Sequence, residues 1–144
     1  MSATQESNKD IVRQHLAAFN DRDKEAFSGL LADDVVEHGI HEKLDGDEES
    51  LEFLDRHFDI FPDYSGTTET VVAEGDTVTV RYTVSGTHSG EYLDVQPTGN
   101  AAEWTGMAMY RIEDDEITEV RTEADRPGLL EQLEAVDPSA HLGI

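Results

Sequence analysis

The chain has no cysteine, which excludes a disulfide framework, a thiolate metal site and a cysteine nucleophile. Lysine is scarce, at three residues, and basic residues together number 10 against 33 acidic ones. The formal net charge of −23 creates a field that repels phosphate backbones and anionic lipid. Neither nucleic acid nor a membrane is therefore expected as a partner. Long apolar runs are missing too. None approaches the roughly 18 residues a membrane span requires. The polar start, MSATQESNKD, carries no apolar signal core. The expectation is a soluble, cytoplasmic protein. Also absent are a Walker loop, a G-x-G-x-x-G turn and a G-x-S-x-G elbow. Nucleotide cofactors and serine hydrolysis thus have no support.

What is present suits one domain, residues 1–144, with a real core: 37% of residues are hydrophobic, above the disordered range. The acids are spread along the chain rather than gathered in an interaction tail. This reads as a solvated surface suited to concentrated salt, where the Debye length shrinks to about 3 Å at 1 M. On that reading most of the acids carry no chemistry.

The first part of the chain is helical in pattern. Ile11, His15 and Phe19 recur at helical spacing beside Val12 and Leu16, with Ser7 or Asn8 as the expected cap. Ala26, Phe27, Leu30 and Leu31 turn inward on a short second helix. Residues 34–40, DVVEHGI, suit a short extended segment. A third helix is expected from Asp47 to Phe61, closed by Pro62. Strands follow at 67–73, at 77–88 with clean alternation, at 102–113, and at the end of the chain's acidic stretch 119–125. Leu129, Leu130 and Leu133 lie on a short final helix. The fold class is α+β, with helices packed on one side of an antiparallel sheet. A strongly curved sheet with helices over its mouth would enclose a pocket.

Residues 119–125, EVRTEAD, pose the functional question. As a strand, they place Glu119, Arg121, Glu123 and Asp125 on one face and Val120, Thr122 and Ala124 on the other. Asp125 then precedes Arg126-Pro127-Gly128 and a helix, which makes it a good helix cap as well as a candidate acid/base. Arg121 and Glu123 are separated by about 7 Å along the strand. They form either an ion-pair ladder or a clamp for an anionic oxygen.

The stretches IVRQHLAAFNDRD, LLADDVVEHG, FPDYSGTTETVVAEGDTVTVRYTVSGTHSGEY and PTGNAAEWTGMAMYRIEDDEITEVRTEADRPGLLEQL follow one another in that order. On them the chain resembles the SnoaL-like polyketide cyclases, within the nuclear-transport-factor-2-like superfamily. The resemblance implies a cone-like curved antiparallel sheet, N-terminal helices packed over it, a short C-terminal helix and an apolar cavity. It implies an aldol-type ring closure of a polyketide ester without metal or coenzyme. The acid/base carboxylate at the end of the last strand falls on Asp125. Arg121 replaces an aromatic residue common in the family, which suggests a more polar pocket for an anionic or oxygen-rich ligand. Asp115 stands where Gly is usual in a turn, a change Asp tolerates.

The expected site therefore has Asp125 as acid/base at a cavity floor. His88 and His38 polarise the substrate carbonyl, Arg121 and Glu123 orient it, and Trp104 provides an apolar wall. His15, His57 and His141 are expected in packing or on the surface. His38 and His41 with Glu37 and Glu42 make only a weak metal signal, and no metal or other cofactor is expected. The expected partners are a small-molecule substrate and a second copy of the chain, meeting at an outer sheet face that carries Thr77, Thr79 and Thr83. Two alternatives remain open. One is water addition to an epoxide by a carboxylate–Arg–carboxylate set, and the other is ligand binding or dimerisation without catalysis.

Overall fold

A computed structural model describes residues 3–39 and 42–133, and His41 and His141 lie outside them. Helices α1 (Ala3–Asn20) and α2 (Lys24–Gly29) lead into strand β1 (Leu31–His38) and the short β2 (Lys43–Asp45). Helix α3 (Asp47–Ile60) precedes β3 (Ser65–Glu74), β4 (Thr77–Thr87), β5 (Ala101–Glu113) and β6 (Glu116–Ala124). Helix α4 (Arg126–Gln132) closes the described chain.

The strands form one curled sheet in the order β2-β1-β6-β5-β4-β3. The expected meander of four strands is there, but β1 and β2 extend it. Strand β1 pairs parallel to β6, so the sheet is mixed rather than wholly antiparallel. The parallel pairing is possible because the long excursion through α3, β3, β4 and β5 separates the two strands in sequence.

Alternation fixes which face is inside. On β5, Ala102, Trp104, Gly106, Ala108, Tyr110 and Ile112 are buried, and Met107, Met109 and Arg111 are exposed. Helix α1 buries Ile11, Val12, His15 and Ala18. Asn8 is inside α1, and buried, rather than capping it, because the helix begins one turn earlier than its apolar stripe. Asp23 caps α2 by accepting a hydrogen bond from the Ala26 amide at 3.1 Å. Asp47, Glu48 and Glu49 fill the first turn of α3, where negative charge complements the helix dipole.

The core has two parts. One joins Val12, Phe27, Val35, Leu54, Phe58, Val78, Val80, Tyr110, Ile117 and Val120 under the N-terminal helices. The other gathers Phe61, Val84, Tyr92, Trp104, Leu129 and Leu133 beneath α4. The turn between β5 and β6 places both Asp114 (φ 52°) and Asp115 (φ 63°) in the left-handed region. This is the primed geometry a tight hairpin favours, and aspartate tolerates it better than most side chains.

Candidate active site

Between the inner sheet face and the helices lies a cavity of about 430 Å³. Its walls are mostly aromatic and aliphatic, with Phe19, Phe27, Phe53, Phe61, Tyr64, Tyr82 and Trp104 among the lining side chains. The sheet register builds the floor in rows. Glu37 of β1 sits opposite Val120 of β6, which sits opposite Tyr110 of β5, and all three line the cavity. The next row holds Thr122 and Ala108, and the one after it Ala124, Gly106 and Tyr82.

Glu37 is the chemically distinctive member. Two other lining carboxylates, Glu42 and Glu91, are exposed, whereas Glu37 is largely shielded. Desolvation raises its pKa above the ordinary carboxylate value, and a hydrogen bond with Ser50 offsets part of that rise. Ser50 is itself fully buried in α3.

Three of the four tyrosines that line this space, Tyr64, Tyr82 and Tyr110, pack with the larger core. Burial pushes the Tyr82 phenol up to about 12 and raises Tyr64 as well. Tyr110 is raised well above its usual value by burial first and by the nearby Glu37 charge second. All three therefore stay protonated near neutral pH and act as hydrogen-bond donors. Gly106 makes room for one of them. A Cβ at this position would lie 2.5 Å from the Tyr82 hydroxyl oxygen, so only glycine lets that ring lie across the strand.

His15 completes the inner wall. It is buried, stacks on Phe27 at 4.1 Å between ring centroids, and meets Tyr110 edge-on at 6.2 Å. Its Nδ1 donates to the Phe27 carbonyl at 3.2 Å, which leaves Nε2 as an acceptor. Desolvation lowers its pKa to about 4, so the ring is neutral at physiological pH. At the mouth stand the Arg56–Glu42 ion pair, Arg126, Glu91 and Leu93.

Of the expected site residues, only Trp104 lines this cavity. Asp125 was expected at the cavity floor, but it is exposed, and its Oδ1 accepts from the Gly128 amide at 2.9 Å as the cap of α4. The reason is strand parity. Val120, Thr122 and Ala124 complete the inner rows, which turns Glu119, Arg121 and Glu123 to the outer face. Arg121 donates to Glu119 there at 3.3 Å, so its charge does not make the cavity more polar. His38 shares that outer face, with Nε2 at 3.3 Å from Glu119 Oε2.

His88 is fully buried behind the wall, its ring 6.2 Å from that of Phe61, and it does not line the cavity. Its Nδ1 accepts from the Thr98 amide at 3.1 Å, which fixes the proton on Nε2. Trp104 does line the cavity, its ring tilted 45° to that of Phe61 at 5.0 Å between centroids. His57 lines it too, edge-on to Tyr64 at 4.7 Å. Sequence reasoning missed Glu37, His15 and the tyrosine set as cavity-lining residues. A signal for Glu37 existed: it falls two residues after Val35, on the buried face of the same strand.

Comparison with known proteins agrees with this architecture. IdmH from Streptomyces antibioticus, provisionally assigned as a polyketide cyclase, is 34% identical, with a TM-score of 0.76 over 88% of this chain and 98% of its own. AclR from Streptomyces galilaeus, provisionally a hydroxylase, is 25% identical, with a TM-score of 0.82 over 92% of this chain and 99% of its own. A SnoaL-like protein from Jannaschia sp. CCS1 shares the fold at 20% identity, with a TM-score of 0.86 over 95% and 98% of the two chains. No curated protein matches the sequence. The pattern of the SnoaL-like polyketide cyclases matches residues 9–133, so the chain belongs to that family.

Proposed function

We propose that the protein is a cofactor-independent enzyme that moves a proton on a small or medium-sized carbonyl compound, with aldol-type ring closure as the reaction class. The observation that carries this reading is Glu37, a carboxyl of raised pKa set among tyrosine hydroxyls in an apolar cavity. A desolvated carboxylate is a stronger base than one in water, and its protonated form is a competent acid. Glu37 takes the proton from the carbon beside the carbonyl. The electron pair moves into the carbonyl, and tyrosine hydroxyls donate hydrogen bonds to the resulting enolate oxygen. The enolate carbon then attacks a second carbonyl of the same molecule, and protonated Glu37 returns its proton to the new alkoxide. Atoms balance without water or a coenzyme.

This assigns to Glu37 the part that the family resemblance implies for Asp125. Deuterium uptake at the α-carbon of a cyclic ketone in heavy water separates the two carboxylates. Glu37→Gln should abolish catalysed uptake, and Asp125→Asn, which keeps a helix cap, should retain it. The reverse pattern assigns the base to Asp125 and overturns the Glu37 reading.

We also propose a homodimer through the outer sheet face. Met107, Met109 and Val72 are half-exposed there, at 50%, 47% and 55%. Arg81, Arg111 and Arg121 place three of the chain's 10 basic residues on the same face. Glu103, Glu119 and Glu123 stand beside them, so opposite charges on two copies can meet across a symmetric contact.

A further inference from the structure

The loop between β4 and β5 contains a turn whose backbone suits its sequence poorly. The amides of Tyr92 and Val95 each donate to the other's carbonyl, at 3.0 and 2.8 Å, closing a two-residue turn. Both central residues are left-handed, Leu93 at φ 48° and Asp94 at φ 67°. This geometry favours Asn-Gly, because a side chain such as leucine crowds its own backbone there.

The surrounding structure imposes that conformation. Tyr92 is buried, its ring 6.1 Å from that of Phe61. Ser89 and Gly90 both donate to the Ile60 carbonyl at the end of α3, at 2.8 and 3.2 Å. On the return side, Gly99 donates to the His88 carbonyl at 2.9 Å and Thr98 donates to His88 Nδ1. The turn is thus held from both sides, and its tip has little freedom to relax.

Leu93 gains little from the fold for this cost, since 44% of it is exposed. Its side chain nonetheless lines the cavity, as do the charged residues Glu91 and Arg126. Backbone strain without a packing return marks a position used for contact.

We propose that Leu93 is a specificity-determining contact, held left-handed so that its side chain meets the outer end of the bound ligand. Leu93 is an apolar point in a charged rim, so it selects molecules whose outer end is a hydrocarbon or ring edge rather than a charged group. The inference rests on the cavity being the ligand site.

Leu93→Asn tests it, because asparagine accepts the left-handed backbone and removes the apolar contact. The probe is Nile red, an uncharged apolar dye, titrated by fluorescence against the full chain. The variant should melt about 2–4 °C higher than wild type and bind the dye about fivefold more weakly. Unchanged affinity, or a lower melting temperature, overturns the role of Leu93. Thr122→Phe, which fills the cavity from β6, should also weaken dye binding. If wild type fails to bind Nile red, or Thr122→Phe binds it equally well, the cavity reading falls and takes this inference with it.

Discussion

Glu37 and Tyr110 belong to one row of the inner sheet face, separated only by Val120. The Glu37 charge is one reason the Tyr110 phenol is held in its protonated form. A proton-accepting group and a proton-donating group thus look into the same apolar space from strands that are far apart in sequence.

His15 makes acid sensitivity measurable. Its folded-state pKa is depressed from 6.5 to about 4 by burial, so the neutral ring belongs to the folded state. The associated stability is fully present above pH 6.5 and is lost as pH falls through the window down to about 4, where only the unfolded chain takes up the proton. The loss is on the order of 3 kcal/mol. Denaturant unfolding of wild type and His15→Gln between pH 7 and pH 4 should show converging stabilities. Parallel profiles would mean that the ring is not held neutral.

Gly106 sets the position of Tyr82. Alanine there drives its Cβ into the ring, whose nearest carbon lies 2.5 Å from the ideal position. Gly106→Ala should destabilise by about 1–3 kcal/mol and displace the Tyr82 hydroxyl from the cavity. In a Tyr82→Ala background the same Gly106→Ala change should cost little, since the clash then has no partner. Strict additivity of the two substitutions in a double-mutant cycle would refute the contact.

The proposed dimer should depend on salt. Two copies, each with a formal charge of −23, repel at low ionic strength. Sedimentation velocity should show association strengthening from 0.1 to 2 M salt. Met109→Asp, which puts another charge at the centre of the outer face, should give a monomer at all salt concentrations. A dimer that survives this substitution places the interface elsewhere.

Much of the fold was legible in the sequence because alternation and helical spacing were strong. Strand β4 reads Val78, Val80, Tyr82, Val84 on one face, and those residues do face inward. The last helix follows from its leucines, with Asp125 as the cap that local chemistry also allowed. The parallel β1–β6 pairing was not legible, because nothing local in DVVEHGI announces a partner some eighty residues away. Which residues line the cavity was not legible for a related reason. Alternation along EVRTEAD divides the strand into two faces but does not say which is inside. That depends on the rows completed by Tyr110, Ala108 and Gly106 on the neighbouring strand. Charge drew attention to the outer face, while Val35 and Glu37 already carried the pattern of a buried acid.

The most direct measurement is the titration of Glu37 itself, by carbon-13 NMR of glutamate side-chain carboxyls, with Glu37→Gln identifying the resonance. The expected midpoint lies above the ordinary 4.5. A raised folded-state pKa means that the contribution of Glu37 to stability is present below the unfolded value and is lost as pH rises through the folded one. Glu37→Gln should therefore gain stability relative to wild type on going from pH 4 to pH 8. A midpoint at or below 4.5, with no relative gain in the variant, would mean that the carboxylate is solvated, and Glu37 would not be the buried acid/base of this cavity.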